Sequence, residues 1–481
     1  MHWWQTLGVE LSALVGVVLI VITIPWVLIL KKESTSAVAW CLLVFFLPYV
    51  GSLLFLIFGY QHVHRPLRRK QKFKKYFRST NPGRREEATP GLPARPDAPA
   101  GWEAMARLAQ RLEAFPLTHG NQVQFFEEGK AAFTAMLEAI RAARHHVHLL
   151  SYVVQPDASG QLFLEALTQK ARQGIEVRLL YDAMGSYRFR HRILRPLLAA
   201  GARGCSFLPL SPGRRLQVNL RNHRKILVVD GQVGFTGGLN IGDEYAGLDA
   251  GYGYWRDSHL RVEGPAVAGL QFIFLEDWHF AAGEQPQGPA YFPEPRTDGP
   301  YPVQVIFSGP DQDLNSIREI YFAAILRARR RLWIATPYFV PDASLRDALA
   351  LAGRLGLDVR ILCQYHPDQW VPFFASRYYW AELLKAGVQV YQYTRGMMHS
   401  KVMVVDGEWA SVGTANLDNR SLHLNFEDNC LIYSAQAAAE LERAFVADLK
   451  YSIRLKREVF AQRSFASRLV ENGCRLLSPI L

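Results

Sequence analysis

One short stretch occurs twice in this chain, and that duplication constrains the fold more than any other feature. His223-Arg224-Lys225-Ile226-Leu227-Val228-Val229-Asp230 and His399-Ser400-Lys401-Val402-Met403-Val404-Val405-Asp406 both read HxKxxxxD, and each is followed by Gly-x-x-Asn, Gly237 to Asn240 and Gly413 to Asn416. The two copies lie 399 − 223 = 176 residues apart. A single loose pattern in a long chain carries a real false-positive risk, but two copies with the same tail are an internal duplication. The β-branched and aliphatic run between Lys and Asp predicts a buried strand, whose alternate side chains share a face, so His and Lys project together. Histidine, a fixed cation and an Asn on one rim suit a phosphate: Lys as a point charge, Asn as a neutral donor, imidazole as nucleophile or proton donor.

The text around the motifs repeats as well. Strands are predicted at Val123 to Phe126, Val147 to Val154 and Ile175 to Tyr181, with helices at Ala131 to Arg144 and Leu162 to Arg172. The second half repeats this order, with strands at Val303 to Phe307, Leu332 to Thr336, Leu357 to Cys363 and Val388 to Tyr391. Its helices are predicted at Ile317 to Arg330, Ser344 to Leu355 and Arg377 to Lys385. Such alternation argues for an α/β fold on a largely central sheet in each half, with two half-sites facing one another across a pseudo-twofold axis. The expected division is a hairpin over 1–64, a basic segment and Pro-rich linker over 65–103, halves over 104–295 and 296–456, and an amphipathic tail over 457–481.

The formal net charge of +12 suggests an anionic partner. Eight Lys and Arg fall between Arg65 and Arg78 with no acid, and 12 − 8 leaves +4 for the rest of the chain. Charge gathered in one place rather than spread over a catalytic surface argues against nucleic acid and for an anionic lipid surface. Just before it, Leu11 to Leu30 and Ala37 to Tyr60 carry no charge. Each is long enough at 1.5 Å per residue to cross about 30 Å of hydrocarbon. No basic residue precedes the first run and Lys31-Lys32 follow it, so an anchor is expected rather than a cleaved signal peptide. The basic cluster outweighs the two lysines of the link, which predicts a two-helix hairpin with the catalytic domain on the cytosolic side. Cys41, Cys205, Cys363, Cys430 and Cys474 are scattered and odd in number, which argues against a disulfide framework and against a zinc site.

At the motifs and their flanks the sequence resembles the phospholipase D superfamily, and within it the bacterial cardiolipin synthase family. The stretches that carry the likeness are Asn219 to Lys225, Phe235 to Tyr245, Trp255-Arg256-Asp257, Thr336 to Phe339 and Asn416 to Ser421. The resemblance implies catalytic motifs built of His223, Lys225, Asp230, His399, Lys401 and Asp406, with Asn240 and Asn416 on the phosphate. It also assigns Asp257 to orient His223 and Glu427 to orient His399, with Glu244 as a rival partner for His223. Asp230 and Asp406, at the far ends of their strands, read as structural supports rather than proton carriers. The implied chemistry is transfer of a phosphatidyl group between two phosphatidylglycerol molecules through a phosphohistidine, giving cardiolipin and glycerol at a bacterial inner membrane. The first-motif histidine is the implied nucleophile, a choice its arginine neighbours favour because nearby cations stabilise neutral imidazole. One phosphodiester replaces another, so no cofactor or nucleotide is expected. Hydrolysis, or phosphatidylethanolamine in place of one phosphatidylglycerol, remains open as an alternative, and a nuclease is disfavoured. Gly238 and Thr414 depart from the Ser common in the superfamily.

Three further features are ambiguous. His145, His146 and His148 invite a metal, but a strand alternates faces, so only two of them share one and no metal is expected. Arg214, Arg215 and Arg221 lead into the first motif and suit either a second phosphate or a solvated basic turn. The tail from Val459 to Leu481 suits either the bilayer surface or packing on its own domain.

Overall fold

A computed structural model describes residues 3–30, 34–59, 72, 98–189, 191–209, 220–312 and 314–481. The apolar N-terminal helices and the α/β body form separate compact units. Most of the basic cluster and of the Pro-rich linker, together with Arg214 and Arg215, lie outside the described residues.

In the N-terminal unit the helix Trp3–Leu30 is long and apolar enough to cross a membrane over Leu7–Leu30. The second apolar run is not the continuous span expected from its composition. It forms the helix Ser34–Phe46, breaks at Leu47, resumes as Pro48–Leu54 and ends in a π-helical turn, Phe55–Gly59. Pro48 is the cause: its ring disfavours helical geometry in the preceding residue, and Leu47 sits at φ −131°, ψ 68°. The two runs still pack side by side, with Thr23 donating to Ser52 at 3.1 Å and Tyr49 to the carbonyl of Ser12.

Among the described residues of the α/β body, two large mixed sheets form, one of eight strands and one of nine. The first runs, in spatial order, Gly396–Met398, Tyr254–Glu263, Val233–Gly237, Ile226–Val229, His146–Ser151, Glu176–Asp182 and Arg203–Phe207, with Gln122–Glu128 also pairing on Tyr254–Glu263. The second runs Thr118–Gly120, Gly299–Ser308, Glu427–Ile432, Trp409–Gly413, Val402–Val405, Arg331–Ala335, Asp358–Gln364, Gln389–Tyr393 and Ser452–Arg454. Both motif strands, Ile226–Val229 and Val402–Val405, are buried along their whole length, as continuous aliphatic runs require. Each leads into a three-residue hairpin loop whose first two residues adopt positive φ, Asp230 and Gly231 at 55° and 68°, Asp406 and Gly407 at 56° and 71°. That left-handed geometry favours Asp and Gly.

The halves exchange pieces. Trp102 and the helix Glu103–Arg111 precede the first sheet in sequence yet belong to the core of the second half, where Trp102 stacks on Trp409 at 5.7 Å. Thr118–Gly120 extends the second sheet beside Gly299–Ser308, while Gly396–Met398 from the second half joins the first sheet. Arg224, 1 % exposed, ties the halves together: it donates to Asp277 at 2.7 Å and to the carbonyls of Glu427 and Ser308. The tail packs one side on the helix Trp370–Lys385, with buried Glu471 accepting from Arg377 and Arg463 and Tyr379 donating to Ser478. Its other side leaves Phe465, Leu469 and Leu476 exposed.

Candidate active site

Both motif histidines lie just before their strands, in locally extended segments that lean on the other half. Asn222 bridges in parallel to Phe426, with the His223 amide donating to the Phe426 carbonyl at 2.9 Å and the Phe426 amide to the Arg221 carbonyl at 2.9 Å. Gly396–Met398 pairs in parallel with Tyr254 to Arg256, and the His399 amide donates to the Arg256 carbonyl at 2.7 Å. The residue after each of these anchoring carbonyls is an acid. Glu427 Oε2 is therefore 3.0 Å from His223 Nδ1, and Asp257 Oδ2 is 2.7 Å from His399 Nδ1.

This crosses the pairing that the sequence resemblance assigns. Asp257 does not orient His223, nor Glu427 His399; each half lends its carboxylate to the other half's histidine, because the short extended segment just before each histidine pairs with the opposite half. Glu244 is not at His223 either. It lies within 3.4 Å of Gln155 and adjoins Tyr245, whose ring is 6.4 Å from His399.

The carboxylates are held differently. Glu427 also accepts from the hydroxyl of Thr414 at 2.6 Å and from Asn425 at 3.2 Å. Asp257 accepts from the Ser258 amide at 2.8 Å and from Trp255 at 3.3 Å. A Cβ at Gly238 would lie 1.8 Å from Asp257 Oδ1, so glycine there makes room for Asp257, whereas Thr414 at the corresponding position donates to Glu427. Burial alone would raise both acids. The facing His and Lys outweigh it and hold both below the ordinary carboxylate range.

With each Nδ1 engaged by a carboxylate, each Nε2 is the ring nitrogen left for substrate. Burial pushes the His223 pKa down to about 4, against the pull of Glu427. His399 is also lowered, by burial and Lys401 against Asp257. The lysines sit beneath the rings: Lys225 donates to the His223 carbonyl at 2.7 Å, and Lys401 to that of His399. Burial depresses Lys225 to about 7 and Lys401 to about 8. Both lysines are buried and lowered toward neutrality, Lys225 further than Lys401, so an entering anion favours their charged forms.

Asn240 accepts from the Val153 amide at 3.1 Å, which fixes its amide, and Asn416 is buried in the second half. The motif aspartates lie away from this chemistry. Asp230 accepts from the amides of Arg144, His145 and His146 at 2.8 to 2.9 Å, and Asp406 from those of Arg329, Arg330 and Arg331 at 2.7 to 2.9 Å. Each pins the start of the strand next to the motif. His145, His146 and His148 are remote from the site: His148 is taken up by Arg178 and Gln271, and among the described residues no group of His, Cys, Asp and Glu has metal-ligand geometry. The sequence reading does not single out Tyr152, whose ring lies 5.0 Å from that of His223 and 5.4 Å from Lys225 Nζ. It also passes over Arg420 as a functional group, although the 176-residue offset sets Arg420 opposite Glu244.

Two imidazoles, each fixed by a carboxylate and backed by a lysine, form a site for covalent phosphoryl transfer without a metal ligand set. The family model described as "Cardiolipin synthase, PLD-like domain" matches the chain twice, over residues 136–256 and 321–449, and a phospholipase D-nuclease N-terminal model matches 17–59. The chain is 42 % identical over 454 residues to the cardiolipin synthase of Geobacillus kaustophilus, covering 94 % of this chain and 90 % of that one. It is 41 % identical over 479 residues to that of Halalkalibacterium halodurans, covering 96 % and 93 %. A solved phosphatidylserine synthase from Haemophilus influenzae shares the fold, with a TM-score of 0.60 at 18 % identity over 79 % of this chain and all of the other. The chain belongs to the phospholipase D superfamily and, within it, to the cardiolipin synthase family.

Proposed function

We propose that this chain moves a phosphatidyl group from one phosphatidylglycerol to the free glycerol hydroxyl of a second, giving cardiolipin and glycerol. The observation that carries this reading is the pair of crossed His–carboxylate contacts, which interlocks the halves and leaves Nε2 of both rings for a phosphate. His223, kept neutral by burial, attacks phosphorus through Nε2. The P–O bond to glycerol breaks, and protonated His399 gives its proton to the departing oxygen. In the second step the acceptor hydroxyl returns a proton to His399, its oxygen attacks phosphorus, and the N–P bond breaks. Lys225, Lys401, Asn240 and Asn416 neutralise the non-bridging oxygens, with Asp257 and Glu427 orienting the rings. Asp230 and Asp406 hold the strands on which both motifs stand.

The chain's organisation follows the same reading: an N-terminal hairpin over 1–64, a basic linker over 65–103, catalytic halves over 104–295 and 296–456 with exchanged edge pieces, and a tail over 457–481. The eight-to-two excess of basic residues after the hairpin over those in its link supports a multi-pass inner-membrane protein with its catalytic body in the cytosol.

Purified protein incubated with phosphatidylglycerol labelled in its phosphate and resolved by thin-layer chromatography should give cardiolipin and one glycerol per cardiolipin, unaffected by chelators. Phosphatidic acid as the main product would establish the hydrolytic reading instead. In the quenched reaction the acid-labile label should map to His223, and an adduct surviving in His223→Ala would reverse the two histidine roles.

A further inference from the structure

The two flanks of the site carry different charges. At the 176-residue offset that superposes the motifs, Arg221 corresponds to Met397 and Arg420 to Glu244. Both cations stand on the His223 flank, and the His399 flank has a thioether and a carboxylate instead. Arg221 and His223 border a bridged, extended residue, so their side chains leave the same face about 6.6 Å apart along the chain. Arg221 is only 2 % exposed, and its buried terminal Nη2 has no hydrogen-bond partner among the described residues. The nearest acid does not supply one. Both oxygens of Asp182 are taken by backbone amides, Oδ1 by Met184 and Gly185 and Oδ2 by Asn222. Tyr152 lies against the His223 ring and within electrostatic reach of Arg221 and Arg420. Arg420 also works against the charge of Arg221, which burial already disfavours.

A buried guanidinium with an unmade hydrogen bond, beside a second guanidinium, is costly unless an anion completes it. The acceptor in the proposed reaction brings one. Its reacting hydroxyl attacks the phosphorus held on His223, and only three carbons separate that hydroxyl from the acceptor's own phosphodiester, so the second phosphate stays close to the catalytic pair. Resting on the phosphatidyl transfer proposed above, we infer that Arg221 and Arg420 form a second phosphate subsite. It holds the phosphodiester of the acceptor lipid and so selects a phosphate-bearing alcohol over water or free glycerol. Met397 and Glu244 bring no cation to the other flank, so the acceptor's phosphate is held on the His223 side.

The test compares two reactions of the full chain in mixed micelles and phosphate-free buffer, where lipids carry the only phosphates. One is cardiolipin formation, whose acceptor bears a phosphate. The other is exchange of labelled glycerol into phosphatidylglycerol, whose acceptor bears none. In Arg221→Met, which copies the other flank, the ratio of cardiolipin formation to exchange should fall on the order of 10- to 100-fold, the effect of losing a hydrogen bond to a charged group. The loss should appear as a raised KM for phosphatidylglycerol as acceptor, and Arg221→Lys should restore part of it. Arg420→Gln, at a half-buried position, gives the same readout where Arg221→Met does not fold. Equal loss of both reactions in Arg420→Gln or in folded Arg221→Met overturns the proposal, because those arginines would then serve the transferred phosphate or only the fold. A wild-type enzyme that makes no cardiolipin at all would instead refute the phosphatidyl-transfer reading itself.

Discussion

The His223 and His399 flanks have the same catalytic contacts and unlike surroundings. Each ring meets a carboxylate from the opposite half, at 3.0 and 2.7 Å, and each is backed by a lysine donating to the histidine's own carbonyl. Beyond those groups, at the 176-residue offset Thr414 corresponds to Gly238, Arg221 to Met397 and Arg420 to Glu244. The comparison teaches that duplication supplies the chemistry twice, while direction comes from the residues that are not duplicated. A symmetric pair of histidines has no reason to divide the work of attack and protonation. Unequal flanks give it one.

The sharpest way to break the comparison is to disable one carboxylate at a time. Glu427→Gln and Asp257→Asn should each lower turnover on phosphatidylglycerol on the order of 10⁴-fold, the usual result of leaving a catalytic histidine in the wrong tautomer. A phosphatidyl ester of p-nitrophenol, whose leaving group needs no proton, separates them. Asp257→Asn should release a stoichiometric burst of p-nitrophenolate and stall as phosphoenzyme, whereas Glu427→Gln should show no burst. The opposite pattern would place Asp257 on the nucleophile after all.

A smaller effect sharpens the contrast between the carboxylate supports. Gly238→Ala puts a methyl group 1.8 Å from Asp257 Oδ1, so the carboxylate must move and kcat should fall on the order of 100-fold. Thr414→Ala removes one hydrogen bond to Glu427 and leaves it in place, with an expected loss on the order of tenfold. If the two substitutions cost the same, the difference between the supports has no functional weight.

The mildest test is pH. Lys225 and Lys401 have pKa values lowered to about 7 and about 8 in the empty site, so the free enzyme loses their charges as pH rises through that window. An entering phosphodiester must then bring a proton with it. Initial rates should show kcat/KM for phosphatidylglycerol falling from pH 7 upward and approaching about tenfold per pH unit or steeper beyond pH 8, with kcat less affected because bound phosphate restores the lysine charges. A flat kcat/KM across this range would mean that the lysines keep their charges in the empty site.

Much of this arrangement is legible in the sequence, because duplicated motifs and aliphatic strands are local signals. The strands at Ile226–Val229 and Val402–Val405 and the Asp-Gly turns after them follow from residue order alone. The crossed carboxylates do not. Spacing within a half suggests Asp257 for His223, whereas the contact depends on three-residue pairings such as Met397 with Trp255, too short to leave a periodic trace. Nor does sequence show Trp102 stacking on Trp409, a contact made across 307 positions by packing alone. The break in the second apolar helix is a different case. Pro48 is visible in the sequence, but an uncharged run of spanning length carries no sign of the break it causes.

The crossing has a consequence for how the protein comes into being. A ribosome that has delivered the chain through the first motif has delivered a histidine without its carboxylate, since Glu427 is still some two hundred residues from synthesis. The second histidine, when it emerges, finds Asp257 already waiting, but its partner ring is still unoriented. The last part of the site to be made is the one that sets the tautomer of His223. A truncated or half-translated chain therefore carries a first motif whose histidine lacks the carboxylate that orients it.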